Sequence, residues 1–105
     1  VAVLLDAGFI PLRKPGKLPH ATLSVSYELE YGVNELHMHV DALDENARVL
    51  IVDDVLATGG TASAAEQLIA EAGATVVAST YVLELAFLGG RARLVNPAHS
   101  LIVID

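Results

Sequence analysis

The chain has 105 residues, with six lysines and arginines against 13 aspartates and glutamates and a formal net charge of −7 at pH 7. This acidic balance disfavours a nucleic-acid partner, because such binders need a basic face to displace counterions. Cysteine is absent, which excludes disulfides and thiolate metal sites. With no apolar run long enough to cross a bilayer and no cleavable signal, we expect one soluble, cytoplasmic domain with no membrane partner.

The start of the chain predicts a helix end followed by a short strand. Residues 1–5 (VAVLL), closed by Gly8, predict the last turns of a buried helix and its glycine cap. We therefore expect the chain to be the C-terminal part of a longer protein. Residues 9–12 predict a short strand, which Pro11 suits to the edge of a sheet because proline cannot donate a ladder hydrogen bond.

Half of the positive charge lies in one loop, at Arg13, Lys14 and Lys17. Pro15 and Gly16 stand between these cations. One interpretation is a clamp for a polyanion, with pyrophosphate as the natural candidate. The other is a solubilising turn, and the phosphate site predicted downstream favours the clamp.

Two alternating segments, residues 22–27 and 35–40, predict a pair of strands. Residues 27–34 between them predict a two-stranded flap whose tip carries carboxylates and an aromatic ring. Such a flap can close over a site and exclude water. His37 and His39 share one strand face, but no third ligand accompanies them, so we do not predict a metal site there.

The central feature is the run RVLIVDDVLATGGT at residues 48–61. Its unbroken apolar stretch, residues 49–52, predicts a parallel strand buried on both faces. Asp53 and Asp54 fall where that strand is predicted to end. Residues 62–72 then predict a helix closed by Gly73.

The loop between this strand and helix predicts a phosphate cradle. In an open parallel sheet, ligands bind at the carboxyl ends of the strands. Gly59 and Gly60 let the backbone approach a ligand, and the first N–H groups of a helix have no intrahelical partner and carry the positive end of its dipole. Thr58 and Thr61 add hydroxyl donors. The two preceding acids would repel phosphate, so they face either vicinal hydroxyls or a hard cation such as Mg²⁺. Together these features fit a sugar phosphate.

The rest of the chain predicts the completion of a β-α-β unit with a right-handed crossover. Residues 75–85 predict a second buried strand and residues 101–104 the last one. Glu84 lies inside the apolar stretch, as a functional group or as a strand end. Arg91 and Arg93 predict a solvated helix or loop face.

Two familiar phosphate loops are excluded, because no lysine follows the glycines and no G-x-G-x-x-G run is present. Four hydrophobic residues, two acids and T-G-G-T instead resemble the signature of the type I phosphoribosyltransferases. The resemblance implies that fold over 1–105 as a single domain, namely an α/β protein with a mostly parallel sheet flanked by helices, a flexible β-hairpin flap, and an absent N-terminal part. It also implies that Asp53 and Asp54 bind the ribose hydroxyls of phosphoribosyl pyrophosphate. The residues implied to hold the 5-phosphate are Ala57, Thr58, Gly59, Gly60 and Thr61.

Further motifs narrow the resemblance to the adenine phosphoribosyltransferases: R-K-x-G-K-L-P, S-Y-x-L-E-Y-G, D-A-L, V-D-D-x-L-A-T-G-G-T and L-E-L-x-x-L-x-G-R-x-x-L, between residues 8 and 94. The resemblance implies that Arg13, Lys14 and Lys17 contact pyrophosphate and reach into the neighbouring subunit of a homodimer. It implies that Glu30 gives or takes the proton of the base, with Tyr31 beside it. Pro15 departs from the family, in which many members carry a basic residue there.

The implied reaction joins adenine to phosphoribosyl pyrophosphate, giving AMP and pyrophosphate with Mg²⁺. Its transition state is oxocarbenium-like, so cations and Mg²⁺ assist the departure of pyrophosphate. A carboxylic acid near the purine can manage the proton that the attacking nitrogen loses. Glu28, two residues before Glu30, remains a rival for this role.

Three other functions stay open. The first is transfer to another purine base, such as xanthine or hypoxanthine, which the A-T-G-G-T ending and the Y-x-L-E-Y-G loop disfavour. The second is a regulatory protein that senses phosphoribosyl pyrophosphate without turnover, which should carry a basic face and a degraded flap. The third is an inactive structural subunit, which the retained acids disfavour.

Overall fold

The computed structural model describes residues 1–12, 22–29, 32–39 and 45–105. In chain order, the described elements are β1 (Thr22–Leu29), β2 (Gly32–His39), β3 (Arg48–Leu56), α1 (Gly60–Glu71), β4 (Thr75–Leu85), two 3₁₀ turns (Ala86–Leu88 and Gly90–Arg93) and β5 (Ala98–Ile104). None of the helices in the described residues combines the length and the apolar character that crossing a membrane requires.

The described strands form two sheets. One has the order β3-β4-β5 with every pair parallel, as the predicted β-α-β unit requires. Its register aligns Asp53 of β3 with Tyr81 of β4 and Ser100 of β5. The other sheet is the antiparallel pair β1-β2, whose register runs from Thr22 opposite His39 to Leu29 opposite Gly32. The predicted parallel core and the predicted hairpin are both confirmed.

Helix α1 ends in the glycine cap that the sequence predicts. Ala72 still has helical backbone angles, and Gly73 follows with φ +88°. The Gly73 N–H donates to the carbonyl of Ala70 (3.0 Å), and the Ala74 N–H donates to the carbonyl of Ile69 (3.2 Å). This pair of bonds is the Schellman motif, in which a residue at positive φ closes the last turn. The helix begins two residues earlier than predicted, at Gly60.

The main core lies between α1 and one face of the parallel sheet. Leu68 and Ile69 of α1 are fully buried, and they pack with Ile51 of β3 and Val76 of β4. Met38 of β2 is buried in the same cluster, so the hairpin also belongs to this side of the sheet. Burying one such side chain contributes about 1.5–3 kcal/mol relative to leaving it exposed. The core thus holds the N-terminal end of α1 at the carboxyl end of β3.

The other face of the parallel sheet is open in the part of the chain that the structure describes. Leu50 and Val52 alternate with the buried Ile51 and therefore point away from α1. Their exposed fractions are 38% and 50%. Leu101 on β5 is 79% exposed. The prediction that residues 49–52 are buried on both faces is therefore wrong for the described part of the chain, although the apolar composition of these strands is that of such a sheet.

At the start of the chain, where the sequence predicts the last turns of a helix, the structure has a single hydrogen-bonded turn. The residue that ends this turn is not the predicted Gly8. The Asp6 N–H donates to the carbonyl of Val3 (3.2 Å), and the Ala7 N–H donates to the carbonyl of Ala2 (2.9 Å). Asp6 has φ +52°, so it takes the left-handed position that we assigned to Gly8. A short polar side chain tolerates this position better than most residues. The prediction of a buried turn is also wrong for this chain, because Val3 is 91% exposed.

The strand predicted over residues 9–12 is wrong, because no strand is assigned to these described residues. Ile10 and Leu12 are partly buried and pack against the main core. Phe9 is exposed. Packing of alternate side chains therefore takes the place of strand pairing in this segment.

Candidate active site

The acid pair lies inside β3, which runs to Leu56 and so extends two residues beyond the end that the sequence predicts at Asp53 and Asp54. The parallel ladder with β4 continues past Asp53 and Asp54, with Val55 opposite Leu83 and Leu56 opposite Glu84. A ladder partner extends a strand beyond the point at which its apolar run stops. The connection to α1 is therefore short and begins at Ala57.

Local hydrogen bonds hold the two carboxylates over their own backbone. The Asp54 N–H donates to Asp53 Oδ1 (2.9 Å), and the Val55 N–H donates to Asp54 Oδ1 (2.8 Å). Asp53 is half-buried, and this burial raises its pKa above the ordinary value of 3.8, while the hydrogen bond from the Asp54 backbone opposes the rise and the Asp54 carboxylate adds to it. A cation or a pair of hydroxyl donors would relieve this cost of ionising the pair.

We name residues 57–61 the phosphate loop. Gly59 is the N-cap of α1 and has φ +87° and ψ 0°, a left-handed conformation that glycine adopts without steric cost. Its carbonyl accepts the first helical hydrogen bond, from the Ser63 N–H (2.8 Å). No side chain caps this end of α1, and its first turn carries no acidic residue. The positive end of the helix dipole is therefore available to an anion.

The predicted phosphate-binding residues line one concavity together with the end of β3 and the first turn of α1. Residues 55–62 form its wall, and its volume is about 60 Å³. That is far below the roughly 300–1,000 Å³ of sites that hold a whole small molecule, which suits a group the size of phosphate rather than a whole nucleotide. The structure thus brings Ala57, Thr58, Gly59, Gly60 and Thr61 together, and their role in binding stays a prediction.

The back of the phosphate loop rests on Gly90. A Cβ built on Gly59 would lie 2.5 Å from the carbonyl oxygen of Gly90, and a Cβ built on Gly90 would collide with the carbonyl oxygen of Ala57 and lie 2.8 Å from the Gly59 nitrogen. The two segments therefore meet backbone to backbone. Beside this contact, Arg93 Nη1 lies 3.4 Å from the carbonyl oxygen of Thr58, at the outer limit of a hydrogen bond.

Arg91 lies in the second 3₁₀ turn with 48% of its side chain exposed, so the predicted solvated face is confirmed, but it also forms an ion pair that the sequence did not predict. Its Nη2 lies 2.6 Å and its Nε 3.2 Å from the two carboxylate oxygens of Glu84, and its Nη1 donates to the carbonyl of Ala98. Ser100 Oγ donates to the same carboxylate (2.9 Å). Glu84 is only 5% exposed, and the hydrogen bonds from Arg91 hold the pKa of Glu84 below its ordinary value. An acid within an apolar strand and an arginine seven residues later were the sequence signal for this pair.

Sequence reasoning also missed Glu66, a buried residue of α1. Its carboxylate accepts hydrogen bonds from the backbone N–H groups of Val95 (3.0 Å) and Asn96 (2.9 Å). The Asn96 side-chain nitrogen in turn donates to the carbonyl of Val76 (3.1 Å). Glu66 thereby ties the segment before β5 to the helix that carries the phosphate loop.

Comparison with known proteins agrees with this geometry. The phosphoribosyl transferase domain matches residues 13–97. The chain belongs to this family.

Curated relatives within the family are adenine phosphoribosyltransferases. The chain is 54% identical to the one from Bradyrhizobium sp. (strain ORS 278), over all of this chain and 60% of the relative. It is 60% identical to the one from Thermobifida fusca (strain YX), over 91% of this chain and 54% of the relative. The chain thus spans about 54–60% of the length of these relatives.

Solved structures confirm the predicted phosphoribosyltransferase fold. The adenine phosphoribosyltransferase of Rhodothermus marinus DSM 4252 is 50% identical with a TM-score of 0.95, over 98% of this chain and 60% of that one. The Saccharomyces cerevisiae enzyme, solved with adenine and an imino-altritol bisphosphate, is 41% identical with a TM-score of 0.92, over 95% and 57% of the two chains. The Trypanosoma brucei enzyme, solved with AMP, pyrophosphate and ribose-5-phosphate, is 31% identical with a TM-score of 0.87, over 97% and 48%.

Several predicted residues of this phosphoribosyltransferase domain lie outside the described residues. They are Arg13, Lys14, Lys17, Glu30 and Tyr31. The register of the hairpin pairs Leu29 with Gly32, so Glu30 and Tyr31 are the residues that join β1 to β2 in the sequence. Their proposed roles stay predictions, as does the choice between Glu28 and Glu30.

The acid pair fits Mg²⁺ only in company with a substrate. Within the described ranges, no group of three or more histidine, cysteine, aspartate or glutamate side chains could hold a metal ion. Mg²⁺ is commonly bound by one or two carboxylates, with its other ligands supplied by substrate phosphates and water. Asp53 and Asp54 meet that requirement and do not form a closed protein site.

Proposed function

We propose that the protein transfers the phosphoribosyl group of phosphoribosyl pyrophosphate to adenine, forming AMP and pyrophosphate. The observation that carries this proposal is the order of groups at the carboxyl end of β3. Two carboxylates, Asp53 and Asp54, come directly before a cradle made by Gly59 and the N-terminus of α1. One half of that site suits hydroxyls or a cation and the other suits a phosphate monoester, as a ribose 5-phosphate demands. The adenine phosphoribosyltransferase relatives support adenine as the base.

In this proposal the phosphate loop binds the 5-phosphate with backbone N–H groups and the helix dipole. Asp53 and Asp54 accept hydrogen bonds from the ribose hydroxyls, which relieves the repulsion between the carboxylates. Asp53 or Asp54, together with the substrate, would hold Mg²⁺, which would supply positive charge to the pyrophosphate leaving group. Because the backbone N–H groups and the carboxylates are already in place, they need little reorganisation as charge develops during the reaction.

The remaining roles extend the proposal to residues outside the described part of the chain. Arg13, Lys14 and Lys17 bind the pyrophosphate, across the interface of a homodimer. Glu30 moves the proton of the purine, and Tyr31, the next residue in the sequence, is the second catalytic residue. The protein acts in purine salvage in the cytoplasm, with phosphoribosyl pyrophosphate, adenine and AMP as its ligands.

The test is nucleotide formation by the complete gene product with Mg²⁺, phosphoribosyl pyrophosphate and each of adenine, hypoxanthine, guanine, xanthine and orotate. We expect AMP from adenine alone. Asp54→Ala should abolish turnover and Glu30→Gln should reduce it, while Glu71→Gln, at the exposed far end of α1, should leave it unchanged. Turnover with another base would show that the assignment of adenine as the substrate is wrong. Binding of phosphoribosyl pyrophosphate without turnover of any base would indicate a regulatory protein that senses this compound, and would contradict the proposed enzyme activity.

A further inference from the structure

The conformation of the phosphate loop depends on contacts from behind it. Gly59 lies in the left-handed region, and no side chain caps the helix at this point. A side-chain hydrogen bond at the N-cap is one of the usual ways in which a helix N-terminus is held in place, and Gly59 cannot supply one. The close contact that the structure shows at Gly59 is with the backbone of Gly90.

Gly90 is buried and begins the second 3₁₀ turn, Gly90–Arg93. The turn is closed by the Ala92 N–H, which donates to the carbonyl of Gly89 (3.2 Å), and by the Leu94 N–H, which donates to the carbonyl of Arg91 (3.2 Å). Only glycine fits at position 90, because a Cβ there would collide with Ala57 and Gly59. Any displacement of this turn is therefore transmitted directly to the phosphate loop.

The turn is fastened to the sheet by the side chain of Arg91. Its guanidinium contacts Glu84 on β4 and the carbonyl of Ala98 on β5, and Ser100 of β5 completes the network. Glu84 is buried, so its charge is tolerable only while Arg91 stays in place. A planar guanidinium with two bonds to one carboxylate also fixes the direction of approach. The pair therefore determines where Gly90 lies.

We infer that Glu84 and Arg91 are positioning residues for the phosphate loop: they fix the Gly90 turn, and Gly90 holds Ala57 and Gly59 in the conformation that receives a phosphate monoester. The inference rests on the proposed function, because it assumes that the loop binds such a group. Neither Glu84 nor Arg91 needs to touch the ligand for this role.

The experiment compares two glycines of the complete gene product. A Cβ on Gly73, which has φ +88°, would lie nearest the movable side chain of Glu45, whereas a Cβ on Gly90 would collide with the phosphate loop. Gly73→Ala should lower the melting temperature through backbone strain and leave the Kd for ribose 5-phosphate within about twofold. Gly90→Ala should raise that Kd by about tenfold or more, measured by calorimetry well below the melting temperature.

The ion pair is tested with Glu84→Gln and its conservative counterpart Glu84→Asp. Glu84→Gln should raise the Kd for ribose 5-phosphate and the KM for phosphoribosyl pyrophosphate by about five- to tenfold, with the KM for adenine unchanged. Glu84→Asp keeps the charge and should recover part of the affinity. Amide hydrogen exchange at residues 57–61 of the ligand-free protein should accelerate in Glu84→Gln, which a general loss of stability would not confine to this loop.

The two proposals fail in different ways. If Gly90→Ala and Glu84→Gln lower only the melting temperature, and ribose 5-phosphate binds both variants as tightly as the parent, the positioning inference is overturned and the proposed function stands. If the parent protein neither forms AMP nor binds ribose 5-phosphate, the proposed function is overturned and the inference falls with it.

Discussion

Gly59 and Gly73 begin and end α1 with almost the same left-handed backbone, at φ +87° and φ +88°. The two positions differ in their surroundings. A Cβ on Gly73 would lie 3.3 Å from the side chain of Glu45, which can move aside, whereas a Cβ on Gly59 would lie 2.5 Å from a backbone carbonyl. The helix thus offers two glycines with equal conformational demand, of which only one adjoins the predicted site.

This pairing gives the first prediction, which compares Gly59→Ala with Gly73→Ala. Each change should destabilise the protein by about 1–2 kcal/mol through the left-handed backbone alone. Gly59→Ala should also weaken the binding of ribose 5-phosphate by about tenfold or more, because the loop must shift to avoid Gly90. Urea unfolding measures the first effect and calorimetry the second. Equal ligand affinities for the two variants would contradict a phosphate site at Gly59.

The strand–loop–helix unit could be predicted because its signals are local. An unbroken apolar run, two glycines and a helix with a glycine cap each act within a few residues, and Gly73 takes the predicted conformation. The end of β3 could not be predicted in this way. Pairing with β4 carries the strand through Asp53 and Asp54, and a ladder partner 28 residues away leaves no trace in the local pattern.

Arg91 shows the same limit for side chains. In the sequence it is an arginine in a polar, glycine-containing turn, for which solvent exposure is the natural expectation; the structure keeps that exposure and adds an ion pair. Its partner Glu84 lies on β4, and the network closes only when β5 brings Ser100 alongside. The hydrogen bonds of Glu66 could likewise not be predicted from the sequence, because their donors lie some 30 residues later in the chain. Contacts of this kind depend on tertiary packing rather than on local pattern.

The second prediction concerns Asp53, whose pKa is raised chiefly by burial. An acid with a raised pKa in the folded state binds its proton more tightly there than in the unfolded chain, so its contribution to stability falls as pH rises through the folded pKa. Asp53→Asn should therefore raise the free energy of unfolding of the ligand-free protein at pH 7. The gain should shrink as pH falls toward 3.8. Denaturant unfolding at several pH values measures this gain in the free energy of unfolding. We also expect the Asp53→Asn variant to lose turnover.

The control for this prediction is Glu71→Gln, which removes one negative charge at an exposed position of α1. A similar gain in that variant would assign the effect to net charge rather than to Asp53. No gain in Asp53→Asn at pH 7 would contradict a raised pKa at this site.

The third prediction concerns acid stability and Glu84, whose pKa is lowered chiefly by the hydrogen bonds from Arg91. A lowered pKa gives stability that is present above the ordinary value of 4.5 and is lost as pH falls through the folded value. Glu84→Gln should destabilise the protein at pH 7 by about 1.5–3 kcal/mol, as expected for hydrogen bonds to a charged group. The difference from the parent should narrow below pH 4.5. A difference that is constant from pH 7 to pH 3 would show that charge plays no part.

The fourth prediction concerns Glu66, which joins α1 to the segment before β5 without any cationic partner in the described hydrogen bonds. Both of its oxygens accept backbone N–H groups, from Val95 and Asn96. In Glu66→Gln one oxygen becomes an amino group that faces an N–H donor, so one buried donor loses its acceptor. We expect a loss of about 1–3 kcal/mol in the free energy of unfolding.

Glu71→Gln is the matched control, since it makes the same chemical change on the same helix at an exposed site. The Gln67 side chain contacts Glu71 at 3.3 Å, and an exposed contact of this kind contributes little. Urea unfolding of both variants therefore isolates the contribution of the two backbone bonds. Because those bonds hold the segment next to the Gly90 turn, Glu66→Gln should also accelerate amide exchange at Val95 and Asn96. Equal stability of the two variants would contradict the anchoring role of Glu66.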